Sequence, residues 1–314
     1  MTGLLRPLVL LLALAGLSTP VSAGETVARR LVLLGTGTPN PEPARSGPAV
    51  AVVVGEVPYL VDFGAGVMRR AEAARRKGIT ALAPGNIRVA FATHLHSDHT
   101  IGLADLLLTG WVGGDRDVPL ALYGPPGLAE MAGHIIAAYR ADIDLRVYGP
   151  EPRDDEGWRI EPHEILPGRI IDTGTLTIEA FAVCHGSWPH AYGYKFTAGG
   201  HSIVISGDTT YCPAVEEKAR GADILLHEVY DQAGFKTRRP DWQRYHAAFH
   251  TSSHDLARLA SAARPKLLVL YHQLFMGQSE AHLLKEIGAR YDGPAVSGHD
   301  LDIFPVPVSS ENKE

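Results

Sequence analysis

The chain has 314 residues, 45% hydrophobic and 20% charged, too apolar for a disordered polymer and too mixed for a polytopic membrane protein. Its formal charge of −6 argues against nonspecific binding to nucleic acid or anionic lipid, which draws on clustered Lys and Arg. The 2 cysteines exclude a disulfide scaffold, whereas 15 histidines call for an explanation.

Residues 1–23 read as a signal peptide. Arg6 is followed by an apolar run from Leu8 to Leu17, then Pro20 and the small-residue pattern Val21-Ser22-Ala23. That run is too short for a hydrocarbon layer of ~30 Å, so no stable membrane insertion is expected. Gly24 follows the proposed cut, which leaves no cysteine for lipid attachment. A periplasmic or secreted enzyme is the expectation, in a compartment where Cys184 and Cys212 could oxidise; spacing alone does not say whether they do.

Residues 24–314 contain no repeat, low-complexity linker or charge block and read as one domain. Strand-like apolar runs occur at 31–35, 49–54, 58–63, 87–93, 120–123, 176–183, 192–197, 202–206, 222–227 and 266–272. Helical patterns fall at 67–77, 99–108, 127–141, 213–220, 253–262 and 279–291. Strands lead and helices follow in each half, which suggests two sheets between helical layers.

The run at 87–93 ends in His94-Leu95-His96-Ser97-Asp98-His99, a dense set of potential ligands. A tight loop there can turn His94 and His96 toward one point and Asp98 with His99 toward a neighbouring one. Three more candidates also end strands: His185, Asp208 (after Gly207, which permits a sharp turn) and His272. Any one of them alone is more often a satisfied polar residue, but strand-end His and Asp from four segments point to a convergent cluster. Imidazole and carboxylate donors suit zinc and allow manganese or iron.

The hexapeptide fits the HxHxDH signature residue for residue, and the later His, Asp and His arrive in order. Through these the chain resembles the metallo-β-lactamase superfamily over residues 30–305. The resemblance implies an α/β fold, a four-layer αββα sandwich, with two metals at the sheet edge. His94, His96 and His185 would hold one metal, Asp98, His99 and His272 the second, with Asp208 bridging them. Two Zn²⁺ (or Mn²⁺ or Fe²⁺) would supply a hydroxide nucleophile near pH ~7, which Asp98 would help orient.

Leu34-Gly35-Thr36-Gly37-Thr38-Pro39, Arg45, Gly47, Val61-Asp62-Phe63-Gly64 and Tyr192-Gly193-Tyr194 resemble ribonuclease Z and its secreted arylsulfatase-like relatives. Leu226-His227-Glu228 and His250-Thr251-Ser252 resemble motifs of the same group, which would make His250 the proton donor to the leaving oxygen and Glu228 the residue orienting its ring. A histidine suits that task because its ordinary pKa of about 6.5 lies near working pH.

Two departures bear on substrate. Only 23 positions separate His185 from Asp208, too few for the long arm with which ribonuclease Z clamps transfer RNA, and Gln273 rather than a basic residue follows His272. With the leader and the acidic charge, these favour a small-molecule ester substrate, phosphoester or sulfate ester, and no nucleic-acid partner. Alternatives are a β-lactam or lactone hydrolase of the same fold, or a metal- or metabolite-binding protein without turnover. Many relatives form homodimers. Ser187, Trp188 and His190 are the candidate substrate contacts, whereas His134, His163, His201, His246, His282 and His299 have no motif support and read as structural or solvated.

Overall fold

Strand β1 (Arg29–Gly35) shows how the sequence builds layers. Leu31 and Leu33 face one apolar cluster, Val32 and Leu34 face another, and all four are fully buried. Successive side chains alternate across a strand, so a strand apolar on both faces must be covered on both. The computed structural model describes residues 29–151 and 153–307, and the signal peptide read over residues 1–23 lies outside them.

One sheet contains β1, β2 (Ala49–Val54), β3 (Val57–Val61), β4 (Val89–Phe91), β5 (Leu120–Gly124) and β6 (Ile160–Glu164). The second contains β7 (Gly168–Asp172), β8 (Leu176–Ala182), β9 (Tyr192–Ala198), β10 (His201–Ile205), β11 (Ile224–Tyr230), β12 (Leu267–Leu274) and β13 (Ala295–Ser297). β14 (Ile303–Val306) returns to pair antiparallel with β1, giving two seven-stranded sheets. In the first, β3 to β6 run parallel; in the second, β10 to β13 do.

Between the sheets lie Leu31, Leu33, Val50, Val52 and Phe91 from one and Ile178, Tyr194, Phe196, Ile205, Leu226 and Val269 from the other. Outside the first sheet pack α1 (Val67–Arg76), α2 (Ser97–Thr100), α3 (Leu103–Val112), α4 (Leu128–Ala138) and α5 (Arg140–Tyr148). Outside the second lie α6 (Pro213–Ala219), α7 (Gln232–Lys236), α8 (Pro240–Phe249), α9 (Ser253–Ala263) and α10 (Glu280–Gly288). The result is the expected αββα sandwich. Each fully buried Leu or Val contributes roughly 1.5–3 kcal/mol of apolar transfer. No helix among the described residues is long and apolar enough to cross a membrane.

The helical pattern at 99–108 is split into α2 and α3 at Gly102, whose backbone lies so close to the Phe63 and Gly64 carbonyls that a Cβ would clash. Helix α8 has no buried residue at all, so no apolar period marks it in the sequence.

Candidate metal centre

Parallel strands end on the same sheet edge, and there the loops are free to carry ligands. In the first sheet β4 stops at Phe91; Thr93 and His94 follow, and His96 sits at the N-cap of α2, which carries Asp98 and His99. In the second sheet His185 follows β8, and Asp208 follows β10 through Gly207 at φ 62°. A side chain at Gly207 would meet the Tyr192 carbonyl at 2.8 Å, so glycine lets the chain turn tightly before the carboxylate.

His272 arrives differently from the sequence expectation. Strand β12 runs on to Leu274, and its register with β11 slips, Tyr271 facing Glu228 and Gln273 facing Val229. His272 is the extra, unpaired residue, with φ 44°. A β-bulge re-aims a side chain out of the pleat, and here it delivers His272 to the centre.

The seven predicted ligands converge. His94 Nε2 lies 2.9 Å from His96 Nδ1, which is 3.2 Å from His185 Nε2. His272 Nε2 lies 3.3 Å from Asp98 Oδ2 and 3.7 Å from Asp208 Oδ2, and His99 Nε2 lies 3.4 Å from Asp208 Oδ1. His94, His96, His185 and Asp208 form one group with ligand geometry, and Asp98, His99 and His272 form a second.

Hydrogen bonds behind the rings fix which nitrogen is bare. His185 Nδ1 donates to the Phe249 carbonyl at 2.8 Å. His99 Nδ1 donates to Asp62 Oδ2 at 2.8 Å. Thr93 donates its hydroxyl to Asp62 and accepts from His94 Nδ1 at 3.0 Å. For His94 and His185 this leaves Nε2 as a lone pair turned inward, the tautomer a cation needs. Burial alone would lower His99 too, but Asp208 and Asp62 outweigh it and hold that ring protonated, so a cation bound at its Nε2 would displace a proton. Burial pushes His94 well below the usual histidine range and His185 down to about 4, so both rings are neutral donors. Burial alone would raise the Asp208 carboxyl, but His272 and His99 outweigh it and hold it ionised.

The donor set fits a pair of divalent cations. His99 Nε2 and Asp208 Oδ1 are buried, have no hydrogen-bond partner among the described residues, and face each other across the centre. Such orphans are rare in a finished interior, and a shared cation satisfies both.

His250 Nδ1 lies 3.4 Å from Glu228 Oε2 and 3.8 Å from Asp208 Oδ2. Glu228 is fully buried on β11, where its Oε1 accepts from the Thr251 N–H at 2.7 Å. Burial, then the nearby Asp208, raises Glu228 well above the carboxylate range, and burial lowers His250 to about 4. Ser252 caps α9 by accepting from the Asp255 N–H at 3.0 Å, which anchors the loop that bears His250.

A cleft of about 960 Å³ opens over this centre, with Asp98, Asp208, His250 and His272 among its lining residues. Its walls are the 37–45 loop, including Arg45, and α8 with the preceding Arg238, contributing Trp242, Tyr245 and His246. None of Ser187, Trp188 and His190 is among the residues lining it. Ser187 is exposed, and the Trp188 indole N–H donates to His96 Nε2 at 2.8 Å, behind the ring. Sequence patterns give no site role to Asp62 or Trp242 and read His246 as structural or solvated, whereas the structure places Asp62 behind His99 and the other two in the cleft wall. The Val61-Asp62-Phe63-Gly64 motif could have flagged Asp62, whereas α8 offered no motif.

Cys184 and Cys212 form a disulfide, with Cα atoms 5.6 Å apart. The bridge ties the strand end bearing His185 to the start of α6, just beyond Asp208.

An αββα sandwich with paired His/Asp ligand groups at its open edge defines a metal-dependent hydrolase. Residues 59–273 match the family described as the β-lactamase superfamily domain. The ribonuclease Z of Mycobacterium bovis (strain BCG / Pasteur 1173P2) is 33% identical over 283 residues, covering 86% of this chain and 96% of that protein. The chain therefore belongs to the metallo-β-lactamase superfamily and, within it, groups with ribonuclease Z. Among solved structures, the short form of human tRNase Z superposes with a TM-score of 0.68 at 21% identity, covering 89% of this chain and 100% of that one. The metallo-β-lactamase fold protein YhfI from Bacillus subtilis superposes with a TM-score of 0.66 at 18% identity, over 89% and 99%.

These relatives overturn two expectations. The departures in the sequence favour a small-molecule ester hydrolase with no nucleic-acid partner, yet relatives matched along nearly their whole length are ribonucleases. The error was physical. A net charge of −6 averages the whole surface, whereas recognition of a polyanion depends on cations at one cleft, and here Arg238 lines it without an ion-pair partner among the described residues.

Proposed function

We propose that this chain is a zinc-dependent ribonuclease that hydrolyses a phosphodiester bond of RNA. The observation that carries the reading is Asp208, buried between the two ligand groups at the floor of an open cleft, with its two oxygens turned toward His99 and His272. The match to ribonuclease Z supports RNA as the ester. Two bound zinc ions would stabilise the attacking and leaving oxygens of a displacement at phosphorus.

His94, His96 and His185 would hold one ion, Asp98, His99 and His272 the other, with Asp208 placed to reach both. Asp98, the most open of the carboxylates, also orients the attacking water. His250 protonates the leaving oxygen: its Nδ1 is turned to Glu228, which leaves Nε2 for the cleft. Although burial keeps the resting ring neutral, the negative charge of a phosphate seated beside it favours the protonated form that donates. Glu228 fixes that ring orientation through its hold on the Thr251 backbone.

The test is cleavage of an end-labelled RNA by zinc-loaded protein, with His250→Ala alongside. The expected result is discrete RNA fragments, lost on chelation, and a rate about 10²–10⁴-fold lower in the variant with two zinc ions retained. Loss of one zinc ion in the variant would instead make His250 a ligand. Failure of the loaded wild-type protein to cleave any RNA, structured or single-stranded, would end the reading.

A further inference from the structure

Helix α8 is unusual in this molecule. It presents four aromatic or imidazole rings and buries none of its residues. Trp242 and His246 stand four residues apart on one face of α8 and His250 follows at its C-cap, eight residues and about 12 Å of helical rise beyond Trp242. The rings form a ladder: Trp242 stacks on His246 at 5.7 Å and 26°, and His246 lies 5.6 Å from His250. Tyr245 braces the outer end, edge-on to Trp242 at 5.6 Å, and itself stacks on Phe249 at 4.5 Å. Trp242 is 51% exposed although it is the largest side-chain type, and it lines the cleft.

We propose that Trp242 and His246 form a stacking platform for the nucleobases flanking the scissile phosphate, an inference that rests on the ribonuclease reading. Single-stranded RNA is held by aromatic faces on which bases stack, combined with cations that follow the backbone. Both parts are present. The ladder leads outward from the centre, so a phosphate seated beside His250 places its neighbouring bases over the next rings. Arg238, at the foot of the helix in the same cleft, makes no ion pair among the described residues and is available to a phosphate. Arg45 is not equivalent, because its guanidinium is already engaged by Thr36, Gln273, the Gly298 carbonyl and Glu280. Partial burial keeps His246 neutral, a flat uncharged ring, and its Nδ1 is without a hydrogen-bond partner among the described residues.

The experiment measures binding of a ten-nucleotide RNA with a non-cleavable scissile linkage to zinc-loaded protein, and KM and kcat for cleavage of the unmodified RNA by the same protein. The proteins are wild type, Trp242→Ala and Trp242→Phe. Trp242→Ala should raise Kd and KM by about five- to hundredfold, the span of one base–aromatic stack, with a smaller change in kcat. Trp242→Phe, which keeps a stacking face, should recover most of that loss. An RNA with abasic sites beside the scissile bond should bind wild type as weakly as intact RNA binds Trp242→Ala. Unchanged Kd and KM in Trp242→Ala, with RNA still cleaved, would overturn the platform and leave the ribonuclease intact. Equal losses in the Ala and Phe variants would assign the effect to helix packing and also overturn it. A wild type that neither binds nor cleaves RNA would remove both.

Discussion

Asp62→Asn offers a sharp test of how the centre is held. Asp62 is buried directly after β3, and its φ of 59° is left-handed. Asparagine tolerates that conformation and has the same shape, so the backbone should not move. Oδ1 accepts the Thr93 N–H at 2.8 Å, and asparagine keeps that bond with its carbonyl. Its amide nitrogen then replaces Oδ2, which now accepts from His99 Nδ1 at 2.8 Å. Two donors cannot share that contact. His99 is driven to the other tautomer, with a proton on Nε2, where it points at Asp208 3.4 Å away and fills the cation's place. Loss of an outer partner of a ligating histidine costs about 10–100-fold in metal affinity, or roughly 1.4–2.7 kcal/mol. Zinc titrated against a chromophoric chelator reads the affinity, and elemental analysis counts the ions. We expect one weakened site and an unchanged fold by circular dichroism. Two zinc ions bound with wild-type affinity by the Asn variant would refute the tautomer argument.

Three further outcomes follow from the geometry. Stripping metal should lower Tm, because ions at 100 times their Kd add about 2.7 kcal/mol; calorimetry with and without added zinc reads this, and coincident transitions would show that the centre holds no ion. Reducing the Cys184–Cys212 bridge, or replacing both cysteines with serine, should remove about 2–4 kcal/mol and speed zinc release from the group containing His185; stopped-flow chelation measures the release, and an unchanged rate would free His185 of any dependence on the bridge. Asp223 is buried, and although burial alone would raise its carboxyl, Lys266, the Ser202 N–H and His201 hold it below the usual range. Its contribution is therefore complete above the unfolded-state pKa of about 3.9 and lost as pH falls through the folded value. The Tm gap between wild type and Asp223→Asn should be full at neutrality and close in acid, and a gap that widened in acid would reverse the sign.

The layers and the ligands were legible because both follow from local pattern. Apolar runs such as Ala49–Val54 are strands with those same bounds, and the dense His94–His99 loop declared itself. β6 and β7 were not legible, since Ile160–Glu164 and Gly168–Asp172 are half-polar edge strands with no apolar alternation. α8 was invisible for the same reason, and it carries the cleft wall. Its aromatic residues are placed for solvent and ligand, so nothing in their spacing reports a core. The sequence reads His246 as structural or solvated, and only the three-dimensional placement beside Trp242 brings it into the cleft. The bulge at His272 is a long-range outcome of pairing between β11 and β12, which no single segment encodes.

The ligand groups divide between the two halves of the sandwich: His94, His96, Asp98 and His99 follow β4, while His185, Asp208 and His272 come from the opposite sheet. Ions bound there would therefore act as a clasp across the middle layer, adding their binding free energy to the docking of one half on the other. A truncation there such as Leu33→Ala, costing about 2–5 kcal/mol, would be partly masked while the clasp is shut and revealed when it is opened. Metal supply would thus set how much drift the interior of this chain can tolerate.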